Sequence, residues 1–255
     1  MRIFNKRIFT LIMAVSLFSC GLPARKPEGD LIYCSCRRAG AAGLGTDYCE
    51  LIADKDSIPK VVIVMDKDNR FGDPVVKRTY EVDGSVVDSL ARILAEIKAY
   101  KLSGYHLEEP ITGGHSYRIY MEYSSGEKIN ADWYGNHVKD EAILAYNTIH
   151  RFFSPWCEKA RKEGKIEALT QRVTQMEEIF DRVSAAVKDK KAYPDLKDEV
   201  EQLKRYMGTG DWKEDFEADE RGELPEGMKR GVLSEDGLYN LLGSRVLHKL
   251  LAGQK

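Results

Sequence analysis

The stretch Ser116–Gly135 reads SYRIYMEYSSGEKINADWYG and has the pattern of a β-hairpin. Apolar and aromatic side chains recur at every second position of both arms, at Tyr117, Ile119, Met121, Tyr123, Ile129, Ala131 and Trp133. A period of two places such side chains on one face of a strand. The Ser-Ser-Gly between the arms supplies turn formers. The stretch therefore predicts two antiparallel strands that share one buried face.

Further strand patterns precede the hairpin, in LIYCSC, YCELIA, KVVIVMDKD and VVKRTYEV, and the Gly-rich RRAGAAGLGTD joins the first two. One amphipathic helix is expected to begin at Ser85, with Asp88 as its capping-box partner. A second is expected to begin near Asp140 and to kink or end at Pro155. This order predicts an α+β domain over residues 31–162, an antiparallel sheet with two helices packed on it.

From residue 163 to residue 255 the strand patterns stop and apolar side chains recur at spacings of three and four. Three helices are predicted, over Lys165–Lys188, over Leu196–Met207, and from Ser234, whose hydroxyl is expected to cap the third. We expect the acidic stretch between the second and third helices to be a loop. These residues predict a small three-helix α domain.

Part of this helical region resembles a small bacterial family of helical domains of unknown function. The resemblance is carried by Trp212-x-x-Asp215-Phe216-Glu217, by Gly222-x-Leu224-Pro225, and by Arg230-Gly231-Val232-Leu233-Ser234-Glu235-Asp236. Upstream, Arg172, Met176, Glu177 and Tyr206 also fit the pattern. The resemblance covers about Leu169 to Leu250. It implies a domain boundary and brings no activity, cofactor or partner with it.

The acidic stretch also permits a calcium hypothesis. Carboxylates occupy positions 1, 3, 5, 9 and 12 of an EF-hand-like count, at Asp215, Glu217, Asp219, Glu223 and Glu226. However, Glu220 stands where the loop needs a glycine for its sharp turn. We therefore favour a structural role for the stretch, and its surplus of acids leaves a basic partner as a second hypothesis.

The chain begins MRIFNKRIFTLIMAVSLFSC, in which a basic start precedes an apolar run that is too short to cross a bilayer. Leu17–Cys20 resembles the lipobox of bacterial lipoprotein precursors. The resemblance implies that residues 1–19 are a signal peptide, that Cys20 carries lipid such as palmitate, and that residues 20–30 form a tether. Gly21 after the cysteine resembles outer-membrane-sorted members. An ordinary secretory peptide or an uncleaved anchor is the alternative.

A polar segment, HLEEPITGGHS, places His106, Glu108, Glu109 and His115 on an expected loop before the hairpin. Two histidines and two acids are candidates for a metal site or for hydrolytic chemistry. Their spacing matches no known ligand pattern, and the chain has no GxSxG, P-loop or dinucleotide-binding motif. We therefore predict no cofactor.

The remaining cysteines are Cys34, Cys36, Cys49 and Cys157. An even number of cysteines in an exported chain favours disulfides, with free buried thiols and a Cys-rich metal site as alternatives. The expected pair is Cys49 with Cys34 or Cys36, which would join two neighbouring strands.

Charge and motifs leave two classes of function. The formal net charge of −2, with mixed signs along the chain, predicts no nucleic-acid partner. The first class is a non-catalytic envelope lipoprotein, bound to a membrane by its N-terminal lipid, that binds a ligand or an envelope protein. The second is a hydrolase-like enzyme that uses the His106–His115 loop. We favour the first, because adjacent residues supply no nucleophile, base and oxyanion donors together.

Overall fold

The computed structural model describes residues 25–40, 45–66, 75–111 and 113–253. The chain divides into two compact units between Ala160 and Arg161. Cys20, with the leader before it and Gly21 after it, lies outside the described residues. No helix among the described residues is both long and apolar enough to span a membrane.

The first unit is built on one sheet. Its strands in the described residues are β1 (Leu31–Gly40), β2 (Thr46–Ile52), β3 (Lys60–Asp66), β4 (Val76–Glu81), β5 (Tyr105–Glu108), β6 (His115–Tyr123) and β7 (Lys128–Tyr134). They lie in the order β4-β3-β2-β1-β6-β7-β5. Every neighbouring pair is antiparallel except β5 and β7. The predicted α+β class and the hairpin β6–β7 are confirmed.

Strand β1 lies at the centre of the sheet. It pairs with β2, which follows it in the chain, and also with β6, so that Cys36 is level with Cys49 on one side and with Ile119 on the other. Cys34, Cys36 and their neighbours on the same face are buried, because β1 has a hydrogen-bonded strand on both edges and helices over that face.

Strand β5 corrects the prediction of a loop at His106 and Glu108. Tyr105–Glu108 runs parallel to β7, with His106 level with Asp132 and Leu107 level with Trp133. Only four residues form this strand. So short a segment shows little periodicity of its own, and its conformation depends on the backbone of β7 beside it.

Two helices cover one face of the sheet, as predicted for this domain. They are α1 (Gly84–Glu96), followed by a 3-10 turn at Ala99–Leu102, and the beginning of α2 (Asp140–Asp189). The core between sheet and helices includes the fully buried side chains of Leu51, Ile63, Leu90, Leu94, Ile119, Met121, Ile149 and Phe153. The cap of α1 is Asp83, whose carboxylate accepts from the Ser85 N–H at 2.8 Å. The predicted Ser85–Asp88 capping box is therefore wrong.

Helix α2 continues through Pro155, so of the two predicted outcomes, a kink or an end, the end is wrong. Proline removes one backbone donor from a helix and clashes with the preceding turn. Here Pro155 is exposed, while Phe153 and Cys157 beside it are buried in the core of the first unit. Packing of the flanking turns outweighs the local cost of the proline.

The second unit contains more helices than the three predicted. After α2 the described chain forms α3 (Leu196–Gly208), α4 (Asp211–Glu220), a 3-10 turn at Gly231–Leu233, α5 (Glu235–Leu242) and α6 (Arg245–Ala252). A separate apolar core holds the unit together, including Leu169, Val173, Val183, Leu196, Leu203, Ala218, Val232, Leu238 and Leu247. The Ser234 hydroxyl caps α5 by accepting from the Gly237 N–H at 3.1 Å.

Candidate functional site

The face of the sheet opposite the helices carries polar and aromatic side chains. We call it the open face and define it by alternate residues of four strands: Tyr33, Ser35 and Arg37; Tyr48 and Glu50; Arg118, Tyr120 and Glu122; Lys128, Asn130 and Asp132. Most of these residues also line a cleft of about 1030 Å³. A volume of this size is typical of small-molecule sites.

Two tyrosines on the open face share one carboxylate. Tyr33 and Tyr48 both donate to Glu50 Oε2, and the two hydroxyl oxygens are 2.5 Å apart. Partial burial and the hydrogen bond to Glu50 raise the pKa of Tyr48 and of Tyr33 above the ordinary value for a phenol. Both phenols therefore stay protonated near neutral pH, and the cluster is a fixed set of donors around one negative charge.

A second cluster lies on β6 and β7. The Tyr120 hydroxyl donates to Glu122 Oε2 at 3.1 Å, and Lys128 Nζ is 3.4 Å from Glu122 Oε1. The charge of Glu122 raises the pKa of Lys128. The edge of the Tyr33 ring meets the ring of Tyr120, with centroids 5.7 Å apart. This aromatic contact links the two clusters across the centre of the sheet.

Two arginines lie between these clusters and the edge strand β5. Arg37 on β1 is directly opposite Arg118 on β6, and both side chains are exposed and line the cleft. Asp132 on β7 is level with Arg118, but its Oδ2 pairs with His106 Nδ1 at 2.8 Å. One row of neighbouring residues therefore crosses the sheet, in the order Tyr48, Arg37, Arg118, Asp132 and His106.

The structure separates the four residues of the HLEEPITGGHS segment. His106 pairs with Asp132, and Glu108 is exposed on the edge strand. His115 begins β6, with its ring 6.4 Å from the ring of Tyr117. No contact among the described residues joins His106 to His115.

Glu109 has a structural role. Its carboxylate accepts from the Asn136 N–H at 2.5 Å and from the His137 N–H at 3.2 Å, and its Oε1 is 2.7 Å from His137 Nδ1. These bonds lower the pKa of Glu109. Gly135 has a positive φ of 155°, and a Cβ there would lie 2.4 Å from the carboxylate. Glu109 therefore holds the turn that follows β7.

All four described cysteines are buried, and none of them forms a disulfide with another described cysteine. Cys49 lies directly opposite Cys36, which was one of the two expected partners. Its sulfur, however, is 3.5 Å from the sulfur of Cys157 on α2, a contact that strand patterns alone do not indicate. Burial raises the pKa of the Cys34 thiol to about 12. The structure thus shows a helix–sheet sulfur contact, and the strand–strand disulfide stays a prediction.

The first part of the acidic stretch forms α4 (Asp211–Glu220), so the expectation of a loop is wrong there, while residues 221–230 form turns and irregular structure. Asp215 is fully buried, Glu217 lies within 4.0 Å of Lys213 and Arg221, and Asp219 Oδ1 is 2.8 Å from Arg230 Nε. Helix geometry keeps these carboxylates from converging as they do in a calcium loop. Among the described residues, no group of three or more histidine, cysteine or acidic side chains is placed to hold a metal ion, and Asp215, Glu217, Asp219 and Glu226 do not form such a group.

Asp215 is the centre of a buried network. Arg172 on α2 binds it with two nitrogens, with Nε 2.9 Å from Oδ2 and an Nη2 contact of 2.5 Å to Oδ1. The Tyr206 hydroxyl donates to Oδ2 at 2.7 Å. Arg172 also contacts Glu214 at 2.9 Å. These bonds attach α4 to α2 and α3 through one carboxylate.

The 3-10 turn before α5 is held from two sides. The Trp212 indole N–H donates to the Val232 carbonyl at 3.0 Å, and Trp212 stacks on Phe216 with centroids 5.2 Å apart. Buried Glu177 on α2 accepts the Val232 N–H at 2.6 Å. A Cβ at Gly231 would lie 2.8 Å from this carboxylate, so glycine permits the close approach.

The residues of the sequence signature therefore meet in one structural network. Residues 173–251 match the model of a family described as a domain of unknown function (DUF4298). The matched segment contains Tyr206, Trp212, Asp215 and the Val232 turn, while Arg172 immediately precedes it. Arg172 and Tyr206 hold Asp215, while Trp212 and Glu177 hold the turn at Val232, so these residues have structural roles in the matched segment and beside it.

No curated protein and no solved structure matches the chain. The DUF4298 match covers only the second unit, and the open face of the first unit has to be interpreted from its own residues.

Replacing Trp212 with phenylalanine tests the signature network. We expect a loss of about 1 kcal/mol in the free energy of unfolding beyond the effect of ring size, because the Val232 carbonyl loses its indole donor. Trp156→Phe is the matched control, since no hydrogen bond of its indole is recorded within the described chain. Urea unfolding of both variants, followed by circular dichroism, gives the comparison. Equal losses would show that the hydrogen bond contributes nothing.

Proposed function

We propose that the protein is a lipid-anchored lipoprotein of the bacterial cell envelope whose first unit is a non-catalytic binding domain. Its lipid is placed on Cys20 and its ligand on the open face of the sheet. The LFSC sequence supports the anchor, and Gly21 favours the outer membrane. The observation that carries the binding function is the cleft of about 1030 Å³ on a face without a covering helix among the described residues.

The side chains of this cleft suit recognition better than catalysis. Glu122, which lines the cleft, and Glu50, which lies on the same open face, are each held by tyrosine hydroxyls, so their orientation is fixed before a ligand arrives. A few fixed polar groups beside aromatic rings are typical of binding sites, since fixed groups lose little entropy on binding. The same cleft supplies rings, donors and charges, while the serine that lines it, Ser35, is 7% exposed.

A hydrolase-like enzyme is the second candidate, and the His106–Asp132 pair is the observation in its favour. A carboxylate that orients a histidine is one half of an acyl-transfer site. His106 is 61% exposed, and no hydroxyl or thiol is hydrogen-bonded to it in the part of the chain that the structure describes. This candidate therefore ranks below the binding domain.

The acids of the second unit give less support to a basic partner than the sequence did. Arg172 contacts Asp211, Glu214 and Asp215, while Arg221 lies beside Glu217 and Glu223. An envelope protein partner remains part of the proposal, without a site assigned to this stretch.

Metabolic labelling with an alkynyl palmitate tests the anchor. The full-length protein is expected to take up the label and to sediment with membranes, because two or three acyl chains hold a protein on a bilayer. Cys20→Ala is expected to lose both properties, and Cys34→Ser serves as the control for thiol labelling. Label retained by Cys20→Ala would contradict the anchor.

Native mass spectrometry of the purified full-length protein tests the binding function, after incubation with an extract of its own cells. We expect a retained small molecule that Tyr120→Ala loses and that Tyr239→Ala, an exposed tyrosine of the second unit, keeps. The proposal fails if no mass is retained, or if Tyr120→Ala retains it equally.

A further inference from the structure

The arginine pair at the centre of the open face is an unfavourable arrangement for the protein alone. Arg37 and Arg118 are directly opposite each other on antiparallel strands. Like charges at such positions destabilise a sheet. Neither guanidinium has a hydrogen bond or an ion pair recorded to any described residue. Both arginines line the cleft, so the N–H donors of each guanidinium are available to a ligand there.

The nearby carboxylates are engaged elsewhere. Glu50 accepts from two tyrosines, Glu122 pairs with Lys128, and Asp132 pairs with His106. Glu108 is at the edge of the sheet, two strands away from β6. Within the described part of the chain, the charge of the two arginines is therefore left without a carboxylate partner.

The chemistry of the pair selects the class of ligand. A guanidinium presents a planar fork that matches a carboxylate or phosphate in two-point contact. Two adjacent forks match a compact group with two negative charges, and a phosphate monoester carries between 1.5 and 2 at neutral pH. Tyr48 lies level with Arg37 and Tyr120 lies two residues from Arg118, so rings flank the charged centre.

We propose that Arg37 and Arg118 form the anchor of a binding site for a small molecule that joins a compact dianion to an apolar or aromatic body. The arginines bind the dianion, and the rings of Tyr33, Tyr48 and Tyr120 contact the body. This inference rests on the proposed function, since it specifies the ligand of the same open face.

Phenyl phosphate is the probe, and its binding to the full-length protein is measured by isothermal titration calorimetry in low salt. Benzoate supplies the ring with one charge, and inorganic phosphate supplies the dianion without the ring. We expect phenyl phosphate to bind more tightly than either, because it alone reaches both parts of the site. An acidic peptide without phosphate completes the series.

Arg37→Gln and Arg118→Gln are each expected to weaken phenyl phosphate binding at least about tenfold, which is the usual size of one lost charge-assisted hydrogen bond. Arg38→Gln is the matched control. It removes the same charge from the next residue of β1, but the Arg38 side chain is paired with Asp47 at 2.9 Å. Binding by Arg38→Gln should equal that of the unchanged protein.

Thermal unfolding without ligand separates loss of the site from loss of the fold. Arg37→Gln removes the repulsion with Arg118, so its melting temperature is expected to rise by about 1–3 °C. Weakened binding at an unchanged or higher melting temperature supports the site. The inference is overturned if the unchanged protein binds no phenyl phosphate, if Arg38→Gln loses as much as Arg37→Gln, or if the acidic peptide is the only ligand.

The two experiments distinguish failure of the dianion site from failure of the proposed binding function. If Tyr120→Ala abolishes retention of a cellular ligand while both arginine variants keep it, the open face binds a ligand without a dianion. If neither phenyl phosphate nor a cellular molecule binds the face, both proposals are rejected.

Discussion

Replacing Arg172 with methionine is expected to lower the free energy of unfolding of the second unit by about 3–5 kcal/mol. The variant leaves the carboxylate of Asp215, which is 0% exposed, with only the Tyr206 hydroxyl as a donor. An uncompensated charge in an apolar core is far more costly than the loss of a surface ion pair. Equilibrium urea unfolding of the full-length protein measures the effect.

Two further variants identify the cause of the stability loss in Arg172→Met. Arg221→Met removes an exposed arginine that pairs with Glu223 at 3.0 Å, and we expect a loss below about 1 kcal/mol. Adding Asp215→Asn to Arg172→Met should recover part of the loss, because the buried group is then uncharged. A loss in Arg172→Met no larger than that in Arg221→Met would contradict the network.

Oxidation of the protein is expected to join Cys49 and Cys157. Two sulfurs 3.5 Å apart need only a small approach to bond, and oxidised glutathione accepts the two electrons as it becomes two thiols. The new bond closes a loop of about a hundred residues, which stabilises the first unit by about 2–5 kcal/mol. Unfolding with and without dithiothreitol measures the gain, and peptide mapping identifies the bond.

Cys157→Ser is expected to abolish the gain from oxidation. Cys34→Ser should preserve it, because Cys34 is level with Leu51 and Met121 on the neighbouring strands and not with another cysteine. Mapping that found Cys36 bonded to Cys49 instead would contradict this pairing and support the strand–strand bond that the sequence favours.

Local patterns predicted much of the fold. The alternation around Met121 and Ile129 identified the hairpin, and the apolar stripes of the second unit identified α3 and the C-terminal part of α2. These elements have enough residues for their periodicity to show. By contrast, β5 has four residues, and the stretch that forms α4 contains so many acids that its pattern suggested a loop. Pairing with β7 and the ion pair to Arg172 stabilise these two elements.

Local sequence patterns could not predict the candidate site, because it depends on contacts between residues that are distant in the sequence. Arg37 and Arg118 are far apart in the chain, and they meet only because β6 pairs with β1 in one particular register. A shift of that register by one residue would place Arg118 on the helix-covered face. The contact of Cys157 with Cys49 likewise depends on how α2 packs over β2. The sequence could identify the residue types, but not which of them become neighbours.

The central position of β1 also has a consequence for biosynthesis. A chain made from its N-terminus can complete the meander β1–β4 early, since those strands pair with their neighbours in sequence. The outer edge of β1 then stays unpaired until His115–Tyr123 has emerged. During that interval the nascent protein exposes an apolar strand with free backbone donors, which is the stage at which a chaperone would protect it from aggregation.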